Sequence, residues 1–340
     1  VAGPAVIETA LYPWQQTTWD SLIAGTDRLP HALLLTGEAG IGKRRFAERL
    51  AAWLLCETPG RAHAPCGRCE GCRWFAAGNH PDFRVLAPGD EEQGEEAEDK
   101  TRRRSPMIGV HEVRELADFV NLTTHRGGAK VVLVYPAESL NPAAANAFLK
   151  TLEEPPAGAH FILVAHHWRR LLPTIRSRCR IYPHPLPEHA AAADWLAAQQ
   201  VVDPALHLAH AGGAPLAALE DAGAAWLDTR RALLDHLANP GAMDVLAVAA
   251  ELEKSRLDAA LVIAWLQKWV YDLIGMGLAG VVRYYPDCKD ELARLSVRAP
   301  QLVPYADRLL QAQRLAHHPL NLRLVFETLL NDYVAAFRKR

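Results

Sequence analysis

Between Ala32 and Lys43 the chain reads ALLLTGEAGIGK, a short apolar run that passes directly into a glycine-rich loop. The run reads as a buried strand, and Phe46, Leu50, Trp53 and Leu54 recur at helical spacing over a helix expected from Lys43 to Cys56. Strand, glycine loop and helix in this order is the start of a parallel α/β unit, because a chain that returns through a helix lays its next strand alongside the first. The loop GEAGIGK also completes a phosphate-binding pattern as far as its lysine. Gly37, Gly40 and Gly42 free the backbone N–H groups to cradle phosphates, and Lys43 reaches the outer ones. The next position requires Ser or Thr, whose hydroxyl holds Mg²⁺, but it is Arg44, which offers only donors and cannot ligate a metal. The frame of a nucleotide site is present without one part that hydrolysis needs.

The α/β pattern continues. Asp82 to Leu86 (DFRVL), Lys130 to Tyr135 (KVVLVY) and His160 to Ala165 (HFILVA) read as further strands, the last two apolar enough to be buried on both faces of a parallel sheet. Val110, Val113, Ala117 and Val120 mark one intervening helix, and Asn141 to Leu152 marks another that ends at Glu153-Glu154-Pro155-Pro156. Residues Gly89 to Ser105 (GDEEQGEEAEDKTRRRS) segregate charge without apolar periodicity and read as a solvated loop. Pairing of Arg102 to Arg104 with DNA or a partner is the sharper alternative, opposed by the adjacent acids.

The prolines from Pro183 to Pro187 close the pattern and mark a domain boundary. Beyond them no strand signal is found. A small helical unit is expected over 188–222. A larger bundle follows, with helices near 224–237, 242–253, 256–279, 288–297, 301–316 and 320–338. No polar groups are seen converging on the core of that bundle, so packing or assembly is its expected role.

At 340 residues the chain is long enough for two or three domains, and 50% hydrophobic with 22% charged residues is ordinary for a soluble protein. A net charge of −2 gives no general attraction to nucleic acid or anionic membrane. The longest apolar run of the C-terminal half, Ala259 to Leu266, is too short to span a bilayer. No membrane association is expected, and a cytoplasmic location is.

Four of the six cysteines, Cys56, Cys66, Cys69 and Cys72, fall within seventeen residues, while Cys179 and Cys288 stand alone. Four thiolates at this spacing, with Gly67 and Gly71 allowing tight turns, suit a closed tetrahedral Zn²⁺ site of structural kind. Free core cysteines or a redox pair are the alternatives.

Several segments together resemble the AAA+ clamp-loader subunits of bacterial DNA polymerase III: Leu34 to Lys43 (LLTGEAGIGK), the cysteine loop, Gly127 to Leu133 (GGAKVVL), Ala143 to Pro156 (AAANAFLKTLEEPP) and Leu171 to Arg180 (LLPTIRSRCR). They cover the first 185 residues well and the helical remainder loosely. The resemblance implies a RecA-like AAA+ nucleotide-binding domain with a parallel sheet over 1–185, with the zinc module inserted at about 56–72. It implies a helical lid over 186–222 and an all-α collar over 223–340, which holds five subunits in an open ring. It further implies partners: gamma/tau-type ATPase and delta-type subunits in a hetero-pentamer, with the sliding clamp and primed DNA reached through the complex.

Each catalytic element of the family can be compared with its position here. The acid of the family's second metal-binding strand falls on Tyr135, the neighbouring catalytic glutamate on Pro136, the phosphate-sensing threonine near Ala165, His166 and His167, and the lid arginine near Leu216. Together with Arg44 these replacements imply weak or no nucleotide binding at Gly37, Gly40, Gly42 and Lys43, and no ATP/Mg²⁺ hydrolysis by this chain. Ser177-Arg178-Cys179 survives, and the resemblance makes Arg178 an arginine finger donated in trans to a neighbour's ATP. Arginine suits that task, being permanently charged and able to bind phosphate oxygens bidentately. The resulting expectation is a non-hydrolysing subunit of the loader, with no enzymatic activity of its own. An ATP-hydrolysing motor subunit is the alternative, favoured by the intact Lys43 and glycines. A zinc-containing nucleic-acid-binding module outside replication is a third reading, opposed by the neutral charge and the lack of an aromatic and basic stripe.

Overall fold

Strand β1 (Ala32–Thr36) is buried along its whole length and lies inside a five-stranded sheet, parallel in every pairing, whose order is β2 (Phe83–Leu86), β3 (Lys130–Val134), β4 (Ala159–Ala165), β1 and β5 (Arg180–Pro183). The computed structural model describes residues 10–24, 29–58, 64–89, 107–124, 128–316 and 321–338, without the side chain at 299. The charged insertion expected over 89–105 lies outside the described residues from residue 90 onward.

The chain divides at Ala191/Ala192 into two compact units. In the first, α1 (Gln16–Ala24) precedes β1, and α2 (Lys43–Leu54), α3 (Glu70–Ala76), β2 (Phe83–Leu86), α4 (Val110–Asn121), β3 (Lys130–Val134), α5 (Pro142–Glu153), β4 (Ala159–Ala165), α6 (Pro173–Arg176) and β5 (Arg180–Pro183) follow it. Side chains of a strand alternate between faces, and the two cores divide accordingly. Leu33, Leu35, Val131, Leu133, Ile162 and Val164 join Trp19, Phe46 and Leu50 on one side of the sheet. Leu34, Val132, Val134, Phe161 and Leu163 meet Val113, Leu116, Phe148 and Leu152 on the other. Helices α1 and α2 therefore cover one face, and α4 and α5 the other, which is the expected parallel α/β architecture.

Two of the boundaries that differ from the sequence reading bear on the site and the sheet. Helix α2 stops at Leu54, which leaves Cys56 in the turn that follows, free to face the other cysteines. Residues Arg180 to Pro183, which run into the prolines expected to close the pattern, form a fifth strand paired with β1 from Leu33↔Arg180 to Thr36↔Pro183. This strand is short, largely exposed and ends in proline, features that hide it from an apolar-run search. They suit an edge, where one side needs no N–H partner.

Helix α7 (His189–Ala198) crosses into the second unit, whose described residues hold no strand: α8 (Pro204–His210), α9 (Pro215–Ala222), α10 (Leu227–Leu237), α11 (Val245–Lys254), α12 (Ala259–Ala279), α13 (Lys289–Leu295), α14 (Val303–Leu315) and α15 (Leu322–Arg338) follow. Ala192, Leu196, Leu208 and Ala218 of α7 to α9 form a small core of their own, and a larger core gathers α10 to α15.

Helix α12 continues well past Leu266, where the apolar run was read to end, and over its 21 residues it is long and apolar enough to cross a membrane. Half of it is buried among its neighbours, and Asp272 sits fully buried in its length. It is the central core helix of this unit.

Candidate functional site

The glycine loop has the bend its sequence requires. Gly37 and Gly42 hold φ of +146° and +86°. A Cβ at Gly37 would lie 2.2 Å from the His184 carbonyl oxygen, and one at Gly42 would lie 2.5 Å from the Tyr12 ring, so no side chain fits either place. Gly40 also has positive φ within the same bend.

Lys43 opens α2 almost completely buried, and its ammonium is engaged by its own chain. It donates to the carbonyls of Gly37 at 2.7 Å and Glu38, and lies 3.0 Å from His166 Nδ1. An ammonium has three donors, and these contacts use all three. Burial lowers the Lys43 pKa to about 8, with Glu138 and Glu38 opposing the fall. Burial and the nearby Lys43 charge push His166 down to about 4, so at neutral pH its imidazole is uncharged and Nδ1 accepts. Glu138 fixes the segment that carries His166, its Oε1 accepting from the N–H groups of His166 at 2.8 Å and His167 at 2.9 Å.

Arg44 and Tyr135, the two positions that the resemblance compares with metal-holding residues, face each other. The Arg44 guanidinium lies over the Tyr135 ring, 5.2 Å from its centroid, and Arg44 Nε donates to Glu48 at 2.9 Å. Tyr135 in turn meets the His166 ring edge-on. A cation over an aromatic face is attractive by about 0.5–2 kcal/mol, and neither group offers a lone pair suited to Mg²⁺. The donor set therefore does not fit the metal that nucleotide hydrolysis uses.

A segment not singled out by the sequence reading closes the loop from the N-terminal side. Gln15 is buried and its Nε2 donates to the Gly42 carbonyl at 2.8 Å, while Trp14 Nε1 donates to Ile41 O at 3.0 Å. Tyr12 stacks on Trp14, and Arg45 lies over the Tyr12 ring. The signal was present as YPWQQ at 12–16, two aromatics around a proline before a helix.

Arg178 follows α6. Its Nη1 donates to Thr174 O at 2.9 Å, and its Nη2 pairs with Glu153 at the end of α5. Ser177 is exposed, and its hydroxyl donates to Thr174 O at 3.0 Å. Cys179 turns inward to the core beneath α5, where burial raises its thiol to about 12 and keeps it protonated. Within the triplet, Ser177 and Arg178 are thus the members available at the surface. Arg169 and Arg176 both lie over Trp168 beside them.

The four cysteines converge as their spacing implies. The Sγ atoms of Cys56, Cys66, Cys69 and Cys72 all lie within 4.8 Å of one another, so the cluster could hold a metal ion such as zinc. Backbone N–H groups point at the sulfurs, from Cys66 to Cys56 Sγ, from Cys69 to Cys66 Sγ and from Cys72 to Cys69 Sγ, at 3.3 to 3.4 Å. Such donors favour thiolates. Gly71 is needed for the approach, since a Cβ there would stand 2.6 Å from Leu55 O. Burial and neighbouring thiols raise the Cys72 pKa. A bound dication reverses that cost, so this donor set fits zinc.

The expectation that no polar groups converge within the helical region is corrected here. His210 Nδ1 lies 2.8 Å from Arg230 Nη2 and its Nε2 lies 3.0 Å from Asp287, while Lys268 donates to the His210 carbonyl at 2.7 Å. Asp272 accepts from the backbone N–H groups of Arg283, Tyr284 and Tyr285 at 2.7 to 2.9 Å. Trp269 donates to Tyr333, which donates to Leu237 O, tying α12, α15 and α10 together. These groups satisfy one another, which is a packing role. Their partners stand 11 to 96 residues apart, so no local pattern announces them.

A family model described as DNA polymerase III, delta subunit, matches residues 15–185. The chain is similar to the DNA polymerase III subunit delta' of Pseudomonas aeruginosa, 38% identical with 96% of this chain and 98% of that protein covered. It is 40% identical to the subunit of the same name from Escherichia coli, over 61% of this chain and 60% of that one. Among solved structures, a DNA polymerase III gamma subunit-related protein of Thermotoga maritima aligns over 95% of this chain and all of its own, at 17% identity and a TM-score of 0.44.

Proposed function

Because the chain belongs to the delta-prime family of DNA polymerase III clamp-loader subunits, we propose that it is a non-hydrolysing subunit that donates Arg178 to the ATP of a neighbouring motor subunit. Its parts on this reading are an AAA+ domain over 1–185, a lid over 186–222 and a collar over 223–340. It sits in a hetero-pentameric ring with gamma/tau-type and delta-type subunits, and the ring loads the sliding clamp onto primed DNA during replication. The observation that carries the reading is the contrast between two cations. Lys43 is buried and spent on its own loop and His166, while Arg178 stands partly exposed on a short helix end. A loop whose lysine is engaged and whose metal positions are an arginine and a tyrosine supports a chain that does no hydrolysis.

The experiment is steady-state ATP turnover by the isolated chain, beside Lys43→Ala. No turnover above background is expected from either protein. Steady turnover that disappears with Lys43→Ala would reject the reading in favour of the motor alternative.

The thiol cluster is proposed as a structural zinc site with Cys56, Cys66, Cys69 and Cys72 as ligands. Four protein ligands leave no open position, so the metal would brace the turn between α2 and α3 and take no part in chemistry. One zinc per chain is expected on metal analysis of the purified protein, falling on Cys72→Ser. A folded sample with none would remove the assignment.

A further inference from the structure

Glu153 is the last residue of α5, where the helix dipole disfavours a carboxylate and the preceding turn already carries Lys150. The carboxylate meets Arg178, two elements further along the chain. The guanidinium is held on both terminal nitrogens: Nη2 by Glu153, and Nη1 by Thr174 O, with Ser177 Oγ at 3.4 Å. A guanidinium grips phosphate oxygens through the same N–H groups that it gives to a carboxylate. In this conformation the groups a phosphate would need are engaged within the chain, and the charge it would offer is partly neutralised.

From this geometry we infer that Glu153 is a positioning residue that parks the finger, so that a neighbour's γ-phosphate must displace a carboxylate before Arg178 can act. The inference rests on the finger role proposed above. It assigns Glu153 no contact with nucleotide and no part in the chemical step. Its effect is a restraint on hydrolysis in the assembled loader when nothing else drives the subunits together. The pair is solvent-exposed, so the restraint is modest.

The experiment measures single-turnover ATP hydrolysis by the reconstituted loader without clamp or DNA, with wild type, Glu153→Gln, Arg178→Ala and the double variant. Glu153→Gln keeps the size and polarity of the side chain and removes the charge. It is expected to raise the rate about two- to fivefold, with the melting temperature of the subunit unchanged. In the Arg178→Ala background the same substitution is expected to change nothing, because its effect passes through the finger. A loader slowed by Arg178→Ala but not accelerated by Glu153→Gln would overturn the parking role and leave the finger standing. Acceleration that persists without Arg178 would overturn it too. A loader indifferent to Arg178→Ala would overturn the finger, and the parking role with it.

Discussion

Replacing Arg178 with alanine is expected to slow ATP hydrolysis at the neighbouring site it serves by about 10³-fold or more, the range that loss of an arginine finger produces. The reason is electrostatic. Charge that develops on the transferred phosphoryl group is stabilised by a fixed, planar cation placed before the reaction, and alanine leaves only solvent there. Arg178→Lys is expected to recover little of the loss, since a point charge lacks the paired N–H geometry. Folding should be nearly untouched: the side chain is partly exposed and the ion pair it gives up with Glu153 is worth little in water. The measurement is presteady-state hydrolysis by the reconstituted loader, with gel filtration to confirm that the variant still assembles. An unchanged rate in a fully assembled loader would remove Arg178 from the reaction.

The second large effect concerns stability. Asp272 is fully buried in α12 and both its oxygens are used, Oδ1 by Arg283 N–H and Oδ2 by the N–H groups of Tyr284 and Tyr285. Burial raises its carboxyl pKa, and the three N–H donors oppose that rise. Asp272→Ala strands three backbone donors where the chain leaves the helix, at an expected cost of about 3–5 kcal/mol. In thermal unfolding this is a fall of roughly 10 °C in the transition of the helical unit. Asp272→Asn keeps acceptor capacity on one oxygen and turns a donor toward the other N–H groups, so an intermediate loss is expected. A melting curve unmoved by Asp272→Ala would mean that water replaces the carboxylate.

The fold was legible where one physical signal dominated. Runs such as KVVLV are buried on both faces, and burial selects apolar residues so strongly that β1, β3 and β4 stand out without any partner in view. The edge strand β5 did not, because half of its environment is solvent and its stability comes from pairing with β1. The thiol cluster was legible for a similar reason: three of its ligands are close in sequence, and chelation by a short loop leaves a spacing.

What the sequence could not disclose were contacts between distant residues of ordinary type. Nothing in the local pattern joins Lys43 to His166, Arg44 to Tyr135, Arg178 to Glu153 or His210 to Arg230. Two of these pairs alter the chemistry. Arg44 on its own removes a magnesium ligand. Its guanidinium is also seated over the Tyr135 ring, a contact that no motif comparison of single positions could show. Glu138 carries no motif signal, because what it does is accept from the backbone N–H groups of the two histidines, 28 and 29 residues away.

The parallel pairing of β5 with β1 has a directional consequence. The glycine loop leaves the C-terminal end of β1, whereas Arg178 comes just before the start of β5, which is level with the start of β1. The two cations therefore stand at opposite ends of the sheet, separated by a strand about 16 Å long, further than an arginine side chain extends. Arg178 cannot fold back to its own loop, so in the proposed finger role the phosphate it touches must belong to another molecule. In the proposed ring, a protein built this way would present unlike surfaces to its two neighbours. An assembly of that kind is polar, with a leading and a trailing side, and contacts of its class close into a ring or run on without an end.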